Sequence, residues 1–399
     1  MWAGQWEANN RRAKMVGMSL NASQLGNMER TELVLRSLKV SQSAGGSAQE
    51  ASQMAAEHRS LHGLHQGTDE MKQLLHMWRK LIIGYVFCAG CLWYSTEVMS
   101  FVLAAYGNIG EVKYLYFSIM LLWYISICVA NTFLIVVIYM DRRLHEPMYI
   151  LLCNLFVNEI GASTSMYPFL LSQMFSDTHE VTLPWCFLHM GCVYISSSIE
   201  FCSLAAMAYD RYVSICYPLR YNVIMNTGRV GMIILLVWMY SFGNFIFSFS
   251  VIIRLTFCGN VIDKVFCDYH LIIKLACSVS ILNNISDLLF VCVTIVIPFS
   301  LISVSYIKIL TVCLNTSKEN TQKAITTCTP QIVSVSNLFI GCMFHYVDSR
   351  LDVALVPDKG RIILSVYLII CQPMITPFMY GFYLLKIRQS CKRFLFNRK

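Results

Sequence analysis

An all-α bundle of seven membrane-spanning helices is the fold this sequence predicts, and three observations predict it. Of its 399 residues 56% are hydrophobic and only 14% are charged, against roughly 25% charge in soluble domains. Seven apolar windows are each long enough to cross a hydrocarbon core, which takes roughly 20 helical residues. The basic residues between the windows are unevenly shared between alternate loops, as crossing segments require.

The windows run Tyr114–Met140, Met148–Phe175, Phe187–Ala208, Val230–Ile253, Leu288–Leu314, Ala324–Tyr346 and Ile362–Leu385. In lipid a backbone must satisfy its own polar groups, so each is read as a helix. Pro168, Pro298, Pro330, Pro373 and Pro377 lie within or at the edges of these windows, where neighbouring helices tolerate the kinks they cause.

Orientation follows from the loops. One set holds Arg142, Arg143, Arg211, Arg220, Arg229, Lys318, Lys323 and the cluster from Lys386 to Lys399; the other mixes Lys and Arg with Asp177, Glu180, Asp263, Asp268, Asp348, Asp352 and Asp358. The basic set is expected inside. The segment before helix 1 is then outside, and the C-terminus is cytoplasmic, facing anionic lipid. A net charge of +8 would suggest nucleic acid in a soluble chain. Here the charge falls at helix ends, and no nucleic-acid partner is expected.

Cysteine placement agrees with this topology. Cys186 opens helix 3 on the outer side, and Cys258, Cys267 and Cys277 lie in the second outer loop. Four cysteines on the oxidising side predict two disulfides, with three pairings open. Most of the 17 cysteines are read as small apolar residues inside helices.

Residues 1–98 form a separate region. They are polar, of low complexity around Ser41–Ser52, and expected to be disordered. His58, His62 and His65 share a helical spacing but lack further ligands, and Cys88-Ala89-Gly90-Cys91 lies in an apolar run, so neither is read as a metal site. The apolar segment 81–94 is short for a span. Extended to Ala105 it would make an eighth crossing with Glu97 buried; otherwise Met71, Leu74, Leu75 and Trp78 mark an interfacial helix. Asn21 and Asn284 are candidate glycosylation sites.

Several ordered motifs carry a more specific pattern. They are Leu144-His145-Glu146-Pro147-Met148-Tyr149; the stretch from Met207 through Asp210-Arg211-Tyr212 to Pro218; Ser305-Tyr306-Ile307; Lys323-Ala324-Ile325-Thr326-Thr327-Cys328; and Pro373 with Pro377-Phe378-Met379-Tyr380. From about Met99 onward the chain thereby resembles an odorant receptor of the rhodopsin-like G-protein-coupled class. Residues 99–385 correspond to the receptor core and 386–399 to a short basic tail, whereas 1–98 match nothing in that family.

The resemblance implies a sensor rather than an enzyme: a small odorant bound in the bundle, a stimulatory G protein activated, cyclic AMP raised, and residence in a sensory neuron's plasma membrane. It implies disulfides Cys186–Cys267 and Cys258–Cys277. It casts Asp210, Arg211 and Tyr212 as the coupling motif, with Arg211 paired to Asp210 at rest and Tyr306 and Tyr380 as aromatic switches. The chain departs from the family at Thr376, Gln331 and Ile340, where Asn, His and Tyr are usual, so altered switching is expected.

Glu159 and Glu200 place two carboxylates inside helices 2 and 3, which cannot both ionise without a cation or a shared proton. With Asn131 they form a candidate sodium site; no other cofactor or metal is expected. The expected ligand cavity lies between the outer halves of helices 3, 5 and 6, lined by Val193, Tyr194, Ser197, Phe344 and Tyr346, with His189 a further contact or a hydrogen-bonded structural residue. Val193 stands where amine receptors carry Asp, which speaks against a biogenic amine. After helix 7, residues 385–396 are expected to form an amphipathic helix on the inner leaflet, with Cys391 a candidate for palmitoylation. A transporter would show internal repeats, and none is evident.

Overall fold

The computed structural model describes residues 100–106, 112–253, 255–278, 281–314, 318–351 and 358–396. Asn21, the three spaced histidines, Cys88, Cys91 and the apolar run 81–94 lie outside the described residues.

Among the described residues, seven long helices follow one another: α1 (Val112–Met140), α2 (Pro147–Gln173), α3 (Leu183–Cys216), α4 (Thr227–Ile252), α5, α6 (Lys318–Leu351) and α7 (Asp358–Tyr383). The α5 helix joins Ile281–Val291 to Ile297–Leu314 through a π-helical turn at Cys292–Val296. A final amphipathic α8 spans Leu385–Phe396, the bounds expected for the interfacial helix. Four helices, α1, α3, α4 and α5, have the length and apolarity to cross a membrane. Their outward faces bear it out: Met232, Leu236, Met239 and Ile246 of α4 are each about three-fifths exposed, a surface suited to lipid. The α2 helix falls short on apolarity because it turns Asn154, Asn158, Glu159 and Ser163 inward, where they are buried.

Two expectations are corrected. The first is that α3 ends at Ala208: it continues for two turns to Cys216, so Asp210 and Arg211 sit within the helix rather than at its end. The second is an all-α chain, and with it the reading, one of two, that carried the 81–94 run on to Ala105 as a helix. Ser100–Leu103 is instead strand β1, the centre of a three-stranded sheet. It pairs antiparallel with β2 (Glu180–Thr182) and parallel with β3 (Val261–Ile262). Alternation explains the strand: Phe101 and Leu103 are fully buried while Ser100 and Val102 are half-buried, the period-2 pattern of a one-sided sheet.

The sheet and both disulfides lie at one end of the bundle. Cys186 at the start of α3 bonds Cys267, and Cys258 bonds Cys277, with Cα separations of 5.4 and 4.9 Å. These are the pairings implied by the family resemblance. Phe101, Tyr167, Phe187, Met190, Phe266 and Tyr269 pack beneath the sheet. A second core, with Phe156, Phe201, Leu204, Met207 and Tyr380, fills the middle and the Arg211 end.

Prolines are matched by donors from other helices. Pro377 has no N–H for the carbonyl of Pro373; Asn131 Nδ2 of α1 donates to it at 3.0 Å. In the π-helical turn Ile297 N–H bonds Cys292 O, so the next acceptor, Val293 O, would need the N–H that Pro298 lacks. Tyr240 of α4 donates its hydroxyl there at 2.8 Å.

Polar bonds tie α2, α3 and α4 in mid-bundle. Trp238 Nε1 donates to Asn154 Oδ1, and Asn154 Nδ2 donates to Ser203 Oγ, both at 3.0 Å. At the Arg211 end α8 docks beneath α1. Ser390 Oγ and Arg393 reach Asp141 Oδ2 at 2.6 and 3.2 Å, and Ile387 is fully buried. Burial alone would raise the Asp141 carboxyl, yet Ser390, the Arg143 backbone and Arg393 together hold it below the usual range.

Replacing Trp238 by Phe leaves Asn154 Oδ1 buried without its donor. The expected loss is about 1–3 kcal/mol, read as a lower unfolding midpoint of the purified receptor; an unchanged midpoint would show that the bond is replaceable.

Candidate functional site

The Asp210-Arg211-Tyr212 motif does not pair internally. Tyr221 donates its hydroxyl to Asp210 Oδ1 at 2.8 Å, while Asp210 Oδ2 and Arg211 Nε are buried without hydrogen-bond partners. The expected Asp210–Arg211 pair is therefore replaced by a link from α3 to the short turn Tyr221–Ile224. The reason is directional: adjacent residues on a helix point about 100° apart, whereas the chain following α3 folds back beneath Asp210. Burial and then the Asp210 charge push the Tyr221 hydroxyl above its ordinary value.

Tyr212 is half-buried, with Lys308 Nζ 5.5 Å from its ring centre. Tyr306 packs with Tyr212 and Ile215 around Ile309, Cys313 and Cys328, which closes α3, α5 and α6 together at this end. The hydroxyls of Tyr306 and Tyr380 are both buried without a hydrogen-bond partner. Such groups destabilise the arrangement that holds them by about 1–3 kcal/mol each, a bias toward another arrangement.

A polar layer crosses the bundle above them. Gln372 of α7 donates to Glu200 Oε1 at 2.6 Å and to Ser334 Oγ at 3.2 Å. Thr376 donates to the Gln372 carbonyl of its own helix and is 3.5 Å from Ser334. Gln331 Nε2 donates to Leu204 O at 2.5 Å, joining α6 to α3. Ile340 is two-thirds exposed and takes no part. Both oxygens of Glu159 and the Oδ1 of Asn131 are buried without hydrogen-bond partners. Oxygen acceptors of this kind are what a hard cation such as sodium prefers.

Between this layer and the sheet end lies a cavity of about 110 Å³. Val193, Tyr194, Ser197 and Tyr346 line it as expected; Phe344 and His189 do not. His189 is instead a buried structural residue packed against Phe169 and Trp185, with ring centres 3.9 and 5.9 Å away. The lining that sequence reading missed includes Ser163 and Met166 of α2 and Phe290 and Thr294 of α5, besides two further groups. Phe266 and His270 belong to the second outer loop, and Glu200 and Gln372 form the floor. The loop residues had a signal: Cys267, once bonded to Cys186, draws its neighbours over α3.

That loop is latched to α6. Asp268 Oδ2 accepts from Lys264 Nζ at 2.7 Å and from Ser349 Oγ at 3.0 Å, and lies 3.1 Å from His345 Nε2. Its Oδ1 caps the short helix Tyr269–Lys274 through the His270 and Leu271 amides. Asp268 is fully buried; burial alone would raise its carboxyl, but Lys264 and then His345 hold it well below the usual range. His270 Nδ1 approaches Asp287 Oδ1 of α5 at 2.6 Å. Of the remaining expected sites, Asn284 is exposed near the start of α5. Cys391 is half-buried on α8, where burial raises its thiol.

Apolar helices around a loop-roofed cavity, with an Asp-Arg-Tyr motif at the far end of the same bundle, define a multi-pass membrane receptor. The olfactory receptor family matches residues 118–398. The chain is 32% identical to olfactory receptor 1500 of Rattus norvegicus over 294 residues, 72% of this chain and 92% of that protein. It is also 32% identical to olfactory receptor 7G2 of Homo sapiens over 304 residues, covering 75% and 93%. The chain belongs to the olfactory receptor family of G-protein-coupled receptors, and is a receptor rather than an enzyme.

The latch yields a prediction. Asp268→Ala strands Lys264 in a buried site and should destabilise the receptor by about 3–5 kcal/mol. Because the folded carboxyl is depressed, its stabilisation is complete above the unfolded value of about 3.9 and is lost as pH falls through the folded value. Unfolding midpoints should show no acid limb from this group between neutrality and about pH 5. A latch that melts at mildly acid pH in wild type but not in Asp268→Asn would contradict this.

Proposed function

We propose that the protein is an odorant receptor crossing a sensory neuron's plasma membrane seven times, with the segment before α1 outside and α8 in the cytoplasm. A small odorant binds the cavity among α3, α5 and α6, and the receptor activates a stimulatory heterotrimeric G protein that raises cyclic AMP. One observation carries the reading: α3 bears both the cavity wall and the coupling motif. Val193 and Arg211 are 18 residues apart on one helix, about 27 Å along its axis.

The mechanism is a population shift, in which an agonist binds the active arrangement more tightly than the resting one. At rest the α3–α5–α6 contact at Tyr306 covers the Arg211 end. Outward motion of α6 exposes the Arg211 guanidinium, a rigid fork of donors, to the C-terminal segment of the G protein, and frees the Tyr306 and Tyr380 hydroxyls to find partners. In cells with the olfactory G protein, pooled small odorants should evoke a dose-dependent rise in cyclic AMP. Arg211→Ala should abolish it with surface expression intact; persistence of the signal would remove Arg211 from the coupling role.

A sodium ion bound by Glu159, Glu200 and Asn131 would supply the counter-charge the two carboxylates lack and favour the resting state. Replacing sodium by a large organic cation should then raise agonist affinity in wild type but not in Glu159→Ala. Equal sodium sensitivity in both proteins would dismiss the ion.

A further inference from the structure

The roof of the cavity holds an imidazole that a carboxylate orients from behind. His270 of the second outer loop lines the cavity and is buried. Its Nδ1 lies 2.6 Å from Oδ1 of Asp287 on α5, which is also buried. An ionised carboxylate can only accept, so a nitrogen this close to it carries a proton. The bond made by one ring nitrogen sets the state of the other. With Nδ1 protonated toward Asp287, Nε2 keeps its lone pair, and among the described residues no protein atom bonds it. The second histidine of the lining differs: His345 turns its Nε2 to Asp268 at 3.1 Å and lies flat against Phe266.

Aromatic rings frame His270. Tyr346 of α6 meets it edge to face with ring centres 5.0 Å apart, and Tyr194 of α3 does so at 6.4 Å. Phe290 of α5 stands edge to face with Tyr194 at 5.5 Å. All four line the cavity, and rings prefer to add to such a group edge to face or offset. The space suits one ring: it measures about 110 Å³, near the roughly 150 Å³ in which an apolar cavity takes benzene. Among the described residues lining it there is no Lys or Arg, and Lys264 above it is paired with Asp268. An anionic ligand would find no counter-charge.

We propose that the ligand is a small monocyclic phenol, its hydroxyl donating to His270 Nε2 and its ring held among Tyr194, Phe290 and Tyr346. The proposal rests on the odorant-receptor reading and names the ligand class of that cavity. A phenolic hydroxyl is more acidic than an aliphatic one and donates more strongly. Asp287 is the positioning residue: its charge polarises the imidazole, as linked hydrogen bonds polarise one another, and makes Nε2 the better acceptor. A methyl ether of the same ring leaves Nε2 unpaired in a dry site, which is costly. A saturated alcohol keeps the hydrogen bond and loses the ring contacts. An aromatic aldehyde keeps the ring and sets one lone pair against another.

The test uses the full-length receptor, reading thermal stabilisation in detergent alongside cyclic AMP in cells, with phenol, anisole, cyclohexanol and benzaldehyde as probes. Phenol should raise the unfolding midpoint at concentrations where the other three do not. His270→Phe, which keeps a ring and removes the acceptor, should weaken phenol binding about tenfold and leave anisole unchanged. Asp287→Asn should lower the preference for phenol over anisole severalfold. Tyr346→Leu should lower the preference for phenol over cyclohexanol severalfold, and serves if His270→Phe fails to fold.

Anisole or benzaldehyde binding as tightly as phenol, no stabilisation by any probe, or a phenol preference that survives His270→Phe would each overturn the proposal. A cyclic AMP response to benzaldehyde but not to phenol would do so while leaving the odorant-receptor reading standing. Phenol binding with no cyclic AMP from the wild type would sink the signalling reading and uphold the phenol site.

Discussion

Helices in lipid gain little from apolar contact with one another, since the tails around them are equally apolar; close packing and hydrogen bonds between helices decide the arrangement. In this bundle those bonds converge on α3. Asn154 reaches Ser203 and Asn158 reaches Ser196 from α2, Gln331 reaches Leu204 from α6, and Gln372 reaches Glu200 from α7. Cys186 fixes the same helix covalently to the loop above it. Without α3 the anchors of α2, α6 and α7 to a common helix would be lost, leaving only bonds between pairs of the others. Because α3 also carries part of the cavity wall and the Asp-Arg-Tyr motif, the helix that gathers these bonds joins the cavity to the far end of the bundle.

The polar residues of the bundle divide into two kinds. Asn154, Trp238, Gln331 and Gln372 are satisfied by partners on other helices, and they define the observed geometry. Glu159, the Asn131 carbonyl oxygen and the Tyr306 and Tyr380 hydroxyls are buried without hydrogen-bond partners. The first kind makes the structure specific. The second leaves it short of its lowest energy, which is the condition for a second arrangement to lie within a few kcal/mol and for a small ligand to select it.

Hydropathy and charge order made most of the helices legible, as did the proline at the start of α2 and the amphipathic spacing of α8. The Asp-Arg-Tyr stretch fell at the end of α3 away from the cavity, and Val193, Tyr194, Ser197 and Tyr346 were found from their place on α3 and α6. What escaped has a common physical cause: contacts between segments distant in sequence. The strand at Ser100–Leu103 exists only because two remote loops pair with it. Asp210 turns to Tyr221 because the chain doubles back. The Lys264–Asp268–His345–Ser349 cluster joins a loop to a helix some 80 positions later, and no local pattern marks it.

The prolines of α5 and α7 carry a mechanical consequence. At each, the backbone acceptor left open is occupied by a side chain from a different helix, Tyr240 on Val293 and Asn131 on Pro373. Bending at these points therefore does not stretch a continuous ladder; it makes or breaks one foreign hydrogen bond. Such a joint has two seats and little between them, like a latch bolt rather than a spring. Two helices with joints of this kind would move in discrete steps, turning a graded occupancy of the cavity into an all-or-none change in each molecule.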